Sequence, residues 1–339
     1  MNHLVEVDGL TKVYPGGKRA IDGISFQVEV GEIFGFLGPN GSGKTTTMRI
    51  LVTLLPKSSG TVRVGKFDVD RNPEDVRRMI GYAAQFIGVD NDLTARENLI
   101  LQGRLHGLSV QKAKRRSDEL LETFALTEVA NERANHFSGG MRRRLDLVQA
   151  LVHRPPLLFL DEPTTGLDPQ SRNTLWKYLD ELSRDGMTIF LTTQYLEEAD
   201  RLCKRIAIID GGRIVASGSP ASLKEEVGGD VITLTFPNNV EEGILTSALE
   251  MLTSSPELGI PTCLDHSIVL SVKDAGRSLV DVVRRLDEKG IPIARLGLTT
   301  PTLDEVFLKY TGQRIRKEET EPMTNFSSLF ATIHGRRSR

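Results

Sequence analysis

The sequence lacks the features that mark most specialised classes of protein. No apolar run is long enough to cross a bilayer, which takes roughly 18 residues. Leu147–Val152 is followed by His153, Arg154 and two prolines, and Leu157–Leu160 runs straight into Asp161. Cysteine is scarce. Cys203 and Cys263 are too few for a disulfide framework and too far apart for a zinc cluster, so both are expected as core thiols in a reducing compartment. Net charge is almost absent: 43 Lys and Arg against 45 Asp and Glu leave −2 at pH 7. That balance speaks against coating nucleic acid by bulk charge. Met1–Gly9 carries Glu6 and Asp8 and has no apolar core, so no secretory signal is read there. No internal repeat is found. The expected location is the cytoplasm, with any membrane connection made through a partner.

What is present is an ordinary globular composition, 39% hydrophobic and 26% charged over 339 residues, which predicts about two domains. Leu4, Val5 and Val7, then Ile24, Phe26, Val28 and Val30, alternate with polar residues as in half-buried strands. Ile33–Leu37 reads as a buried strand, Thr45–Leu54 as a helix, and Thr61–Val64 as a short strand. Asn72 is the expected N-cap of a helix from Pro73 to Met79. Residues 90–150 read as a helical insertion. Buried strands follow at Leu157–Leu160 and Thr188–Thr192, with helices at Gln170–Arg184 and Leu196–Cys203. Asp210-Gly211-Gly212 marks a hairpin. The alternation predicts an α/β core over residues 1–227. After Gly228-Gly229 a small α+β unit is expected over 229–312, and a flexible basic tail over 313–339.

The strongest motif is Gly38-Pro39-Asn40-Gly41-Ser42-Gly43-Lys44-Thr45, between an apolar strand and a helix. It fits the phosphate-binding pattern G-x-x-x-x-G-K-[ST] in its confirming context. The glycines let successive N–H groups turn towards phosphate oxygens, and the helix adds its positive end. Lys44 brings a cation to the β/γ-phosphates, and the Thr45 hydroxyl can ligate Mg²⁺. Leu157-Leu158-Phe159-Leu160-Asp161-Glu162 is an apolar strand that ends in two acids. Asp161 can hold Mg²⁺ through water, and Glu162 can act as general base on the attacking water.

Between these motifs lies Phe137-Ser138-Gly139-Gly140-Met141-Arg142-Arg143-Arg144. Ser138 can cap a helix, and the two glycines expose N–H groups to an anion. Here the sequence resembles the ATP-binding cassette (ABC) proteins, whose signature is Ser-Gly-Gly-Gln in most members. The resemblance implies that Tyr14 stacks on adenine and that Thr46 joins the nucleotide contacts. It also implies that Gln85, after Gly81-Tyr82-Ala83-Ala84, meets Mg²⁺ and the attacking water. Gly166-Leu167-Asp168 matches the family's dimer-interface loop. Ser138, Gly139, Gly140 and Met141 would act on the ATP of a partner subunit.

Two departures narrow the group. Gln194 stands where the family usually has His; its amide can donate to a γ-phosphate but cannot titrate. Met141 replaces the signature glutamine, so slow hydrolysis is an expectation. Ser-Gly-Gly-Met-Arg-Arg-Arg, Thr-Thr-Gln-Tyr-Leu-Glu-Glu-Ala-Asp and Pro301-Thr302-Leu303-Asp304-Glu305-Val306-Phe307-Leu308 resemble the ATPase subunits of daunorubicin-resistance-type drug exporters. With one phosphate loop and one signature per chain, the resemblance implies an ATP-dependent homodimer. It also implies docking on separate transmembrane permease subunits at the cytoplasmic face of the membrane. The cofactors implied are ATP and Mg²⁺; the efflux cargo would be a drug, antibiotic or lipid-like compound. Two alternatives stay open: a cassette ATPase acting on nucleic acid or the ribosome, and an importer ATPase. Nucleic acid is not the expected partner, because Arg142–Arg144 reads as a solvated or intersubunit face.

Overall fold

Alternating apolar residues build the first two strands, β1 (His3–Val13) and β2 (Arg19–Glu29), which pair antiparallel and bury Val5, Val7, Leu10, Ile21, Ile24, Phe26 and Val28. The computed structural model describes residues 3–237, 242–253, 261–264, 267–272 and 275–312. The chain divides into two compact units, Met1–Pro220 and Ala221–Arg339.

In the first unit β3 (Ile33–Leu37) is wholly buried and leads through the glycine-rich loop into α1 (Lys44–Leu51). β4 (Ser59–Val64) and the short β5 (Phe67–Asp68) join the antiparallel sheet, in the order β2-β1-β4-β5. α2 (Pro73–Met79) leads into β6 (Ile80–Ala83). Asn72 sits at the N-cap of α2 as expected, but its side chain makes no capping bond; its carbonyl accepts from the Val76 N–H at 3.1 Å.

The helical insertion is α3 (Ala95–Leu105), α4 (Val110–Thr123) and α5 (Gly139–Ala150). Thr94 and Glu97 form a capping box at the start of α3, and Ser109 and Ser138 cap α4 and α5 by accepting from the N–H three residues on. β7 (Leu157–Asp161), α6 (Pro169–Arg184), β8 (Thr188–Thr193), α7 (Leu196–Leu202), β9 (Arg205–Asp210) and β10 (Arg213–Gly218) complete the unit.

The central sheet has the order β10-β9-β3-β8-β7-β6; all its pairs are parallel except the β9–β10 hairpin. β3, β7 and β8 lie inside it, which is why they read as unbroken apolar runs. One core joins the two sheets. Phe26 of the antiparallel sheet packs on Phe34, Phe36 and Phe190 of the central one at ring distances of 5.4–5.8 Å. The parallel strands therefore deliver the ends of β3, β7 and β8 to one edge, where open α/β sheets bind ligands.

The division falls after Pro220, one helix ahead of the Gly228-Gly229 turn. α8 (Pro220–Val227) is tied to the end of the second unit: the Glu226 carbonyl accepts from Lys309 Nζ at 2.5 Å, and its carboxylate accepts from Tyr310. There β11 (Asp230–Thr235), α9 (Glu242–Thr253), β12 (Thr262–Leu264), β13 (Ser267–Val272), α10 (Ala275–Glu288), β14 (Arg295–Thr299) and α11 (Leu303–Thr311) follow, an α+β unit as expected. The antiparallel sheet β12-β13-β11-β14 buries Ile232, Leu234, Ile268 and Leu270 with Ala248 and Leu252 of α9 and Val282 and Leu286 of α10. The second cysteine departs from expectation. Cys203 is buried, but Cys263 is exposed, because β12 is a short strand at the edge of its sheet. The expected basic tail lies outside the described residues.

Candidate active site

The ends of three central strands meet around one cleft of about 480 Å³, lined by Tyr14, Asn40, Gly41, Gly43, Lys44, Thr45, Thr46, Gln85 and Glu162 among others. The loop from Gly38 to Gly43 is curled by its glycines. Gly43 has φ 113°, and a Cβ there would stand 2.7 Å from the Ala20 carbonyl oxygen. A Cβ on Gly38 would stand 2.3 Å from the Ile209 carbonyl oxygen, so only glycine lets this turn lie against β9. No side chain caps α1, so its first N–H groups are left for an anion. Ser42 Oγ is buried without a hydrogen-bond partner, and Pro39 accepts the Ser42 N–H at 3.2 Å.

Lys44 is 4% exposed. Its Nζ donates to the carbonyls of Gly38 at 2.8 Å and Pro39 at 3.0 Å, and lies 3.3 Å from Glu162 Oε1. Burial pushes its pKa down, against the pull of the Glu162 and Asp161 charges. An ammonium so desolvated is stabilised by any anion brought within reach, and the loop in front of it is built to receive one.

β7 delivers the two acids, and they point to different tasks. Asp161 Oδ1 accepts from Thr192 Oγ1 at 2.5 Å and from Thr45 Oγ1 at 3.3 Å. Burial raises the Asp161 pKa, the Thr192 hydrogen bond opposes that, and the neighbouring Glu162 charge adds to the rise. Hard oxygens from Asp161 and Thr45, with Gln85 nearby, match what Mg²⁺ takes when it keeps several waters and phosphate oxygens. Glu162 follows in the left-handed region at φ 48°, unusual for a residue with a side chain. Its N–H is held by the carbonyl and hydroxyl of Thr192, both at 3.1 Å. The turned backbone aims the carboxylate into the cleft, where Oε2 accepts from Gln85 Nε2 and Thr165 Oγ1, both at 3.3 Å. A strained residue kept by specific bonds at a cleft is the usual mark of a working side chain.

The other expected residues fall in two groups. Tyr14 is half-buried, and its hydroxyl lies 3.4 Å from Thr46 Oγ1. Gln194 directly follows β8, is half-buried, and is not among the residues lining the cleft. Ser138 accepts from the Met141 N–H at 3.2 Å at the start of α5, and neither it nor Gly139, Gly140 or Met141 lines the cleft. Asp168 caps α6, accepting from the Ser171 N–H at 2.9 Å and its hydroxyl at 2.6 Å; these bonds hold its pKa down.

Arg143 departs from the solvated or intersubunit face expected of Arg142–Arg144. Arg143 is 5% exposed rather than solvated, and donates to Asp161, Pro163 and Ala84 carbonyls. Arg142 and Arg144 are half-buried and donate to the carbonyls of Phe137 and Phe124. A charge run looks the same in sequence whether water or main-chain carbonyls satisfy it. Thr192 and Thr165 were also missed as site residues. Thr192 stands as a polar residue inside an apolar strand, a signal that could have found it; nothing local marks Thr165.

The ABC transporter family matches residues 21–165, and a second family, described as "ATP-binding protein DrrA1-3-like, C-terminal domain", matches residues 218–311. The Daunorubicin resistance ATP-binding protein DrrA3 of Streptomyces coeruleorubidus is 45% identical over 93% of this chain and 98% of its own length. The Daunorubicin/doxorubicin resistance ATP-binding protein DrrA of Streptomyces peucetius is 42% identical, over 94% of this chain and 95% of its own length. Among solved structures, the dimeric ATP-binding cassette MJ0796 in a post-hydrolysis state with ADP and Pi matches with a TM-score of 0.59. It is 27% identical and covers 63% of this chain and 98% of its own. None of these likenesses favours the nucleic-acid or importer alternatives.

Proposed function

Since the chain belongs to the ATP-binding, ATP-hydrolysing subunits of ABC transporters of the daunorubicin-resistance type, we propose that it drives drug export through a separate membrane subunit. One observation carries the assignment of the site: Lys44, Thr45, Gln85 and Glu162 line a single cleft, where Lys44 and Gln85 both meet Glu162 and Thr45 donates to Asp161.

In this reading the N–H groups of Gly41–Thr46 and the Lys44 ammonium hold the phosphates of ATP, and Tyr14 packs against its base. Mg²⁺ would supply charge neutralisation to the phosphates. Thr45, Asp161 and Gln85 would hold it, Asp161 through water. Glu162 takes the proton of the attacking water, and Gln85, bonded to Glu162, orients that water. Before that, Lys44 exchanges Glu162 for the γ-phosphate on ATP binding, which frees the carboxylate to act as a base. Gln194 offers an amide donor at the end of β8 but no titratable group, so hydrolysis should show no limb from this position near pH 6–7.

The signature residues Ser138–Met141 lie off the cleft; in this reading a second copy brings its own signature to the ATP. A homodimer closing on ATP follows from one loop and one signature per chain. Docking of the membrane subunit is supported by exposed apolar residues, Phe86 among them, which directly follows Gln85. Phe86 is 81% exposed, and Leu54 and Leu105 are 61% and 72% exposed. Leu54 also lines a groove of about 270 Å³ with Tyr82, Gln102 and His106. No helix among the described residues is long and apolar enough to cross a membrane, so attachment at the cytoplasmic face would run through these residues.

The test has two arms. The full chain should hydrolyse ATP, and Lys44→Ala should weaken ATP binding about 10- to 100-fold, the worth of its charge-assisted hydrogen bonds. Tagged chain should recover a multi-span membrane protein from detergent extracts, and Phe86→Asp should lose it. Recovery of ribosomes or DNA instead would overturn the transport reading.

A further inference from the structure

The helix α5 carries Ser138 at its N-cap and Arg143 five residues on, and Arg143 points into the chain's own catalytic segment. Its guanidinium donates to four acceptors. Nη1 reaches the Ala84 carbonyl at 2.6 Å and Asp146 Oδ2 at 3.1 Å. Nε reaches the Pro163 carbonyl at 2.8 Å, and Nη2 the Asp161 carbonyl at 3.2 Å. Asp146, one turn further along α5, accepts the Gly88 N–H at 2.9 Å through its other oxygen. Arg143 and Asp146 together therefore grip the chain on both sides of Gln85, at 84 and 88, and Arg143 grips it on both sides of Glu162, at 161 and 163. Between the grips, Gln85 and Glu162 touch at 3.3 Å.

A buried pair needing only charge balance would be satisfied by Asp146 alone. Here three of the four acceptors are main-chain carbonyls that flank the two reactive side chains. The planar guanidinium spans them because its donors are fixed in a fork; a lysine ammonium has three donors at one point and cannot. Leaving such a cation underbonded in the interior is costly, so α5 and the two segments must move together or break several bonds at once.

We infer that Arg143 is a positioning residue that sets Gln85 against Glu162 and couples that setting to the signature on the same helix. This rests on the proposed homodimer, in which the signature serves the ATP across the interface while Gln85 and Glu162 serve the chain's own. Arg143 then links the two ATP sites: capture of one nucleotide by Ser138–Met141 displaces α5 and so the catalytic pair at the other. A two-position element joining distinct sites is what such coupling requires.

The experiment compares the full-length chain with Arg143→Lys and with the double variant Arg143→Met/Asp146→Asn, which leaves no unpaired buried charge. ATP hydrolysis is followed against ATP concentration, and binding of a fluorescent ATP analogue is measured separately. The expected result is a kcat lower by about 100-fold, the scale of roughly 1 Å of misplacement. Nucleotide affinity should stay within about twofold, and the Hill coefficient should fall towards 1, the limit of uncoupled sites. Arg143→Lys should lie between the unaltered chain and the double variant. A folded double variant with unchanged kcat and Hill coefficient overturns the inference, as does a loss explained wholly by weaker nucleotide binding. No hydrolysis by the unaltered chain would instead overturn the proposed function.

Discussion

Glu162→Gln gives the sharpest prediction, because it moves two measurable quantities in opposite directions. Glu162 serves as the proposed base and also as the partner of Lys44 when no phosphate is present, at 3.3 Å with both side chains nearly inaccessible to water. Glutamine keeps the shape, the left-handed backbone and an acceptor for Gln85 and Thr165, but it cannot take a proton. Loss of a general base costs about 10²- to 10⁴-fold in turnover. Loss of the carboxylate charge also removes a competitor for the ammonium. Hydrogen bonds to charged groups are worth about 1.5–3 kcal/mol net, and an amide oxygen that still faces Lys44 recovers part of this. A remaining difference of about 1.4 kcal/mol corresponds to tenfold. The variant should therefore bind ATP about tenfold more tightly while hydrolysing it at least about 100-fold more slowly. Titration calorimetry at protein concentrations that keep the chain monomeric measures the first effect, and phosphate release under saturating ATP measures the second. Turnover within twofold of the unaltered chain would remove Glu162 as the base. Weaker ATP binding would refute the competition between carboxylate and phosphate for Lys44.

Three further outcomes follow from the same geometry. Gly43→Ala should abolish ATP binding and lower thermal stability, because alanine at φ 113° is strained by about 1–3 kcal/mol and its Cβ would stand 2.7 Å from the Ala20 carbonyl; binding and melting curves report both. Thr192→Val removes the 2.5 Å hydrogen bond that holds the Asp161 pKa down, so that pKa should rise further. The acid fall-off of hydrolysis then moves to higher pH and the Mg²⁺ requirement rises, both read from rate profiles. Glu198 is fully buried with a pKa raised by desolvation, and it accepts from Trp176 Nε1 at 3.0 Å. A raised carboxylate pKa means the unfolded chain releases its proton first, so this group's contribution falls as pH climbs above the ordinary 4.5 towards the folded value. Glu198→Gln keeps the acceptor without the charge. Its stability relative to the unaltered chain should grow with pH across that window in urea denaturation series, and no pH trend would refute the buried-charge account.

Much of this was legible in the linear sequence because the relevant signals are local. A run such as Ile33–Leu37 followed by glycines and Lys44-Thr45 specifies strand, turn and helix within a dozen residues, and the phosphate chemistry depends on that local turn. The second unit was expected as a small α+β segment after Gly228-Gly229, and its strands and helices are built from short apolar runs that are visible locally. The Asp161-Glu162 pair was found for the same reason, as an apolar strand with two acids at its end.

Side chains whose environment comes from remote segments were not legible. Arg143 looked solvated because an arginine run does not state its acceptors, which are carbonyls 18, 20 and 59 residues away in sequence. Cys263 looked like a core thiol until the sheet order put β12 at an edge. The sequence by itself determined the chemistry on offer: an anion-binding loop, an ammonium, two acids and a glutamine. Tertiary structure alone decided their relations. Parallel pairing of β7 with β8 sets Asp161 beside Thr192, the order of the central sheet brings Lys44 to Glu162, and the inward turn of α5 puts Arg143 behind them both. The physical reason is range. Backbone preference and hydrophobic period act over a few residues, whereas hydrogen bonding, desolvation and charge pairing act between any groups that folding brings within a few ångströms.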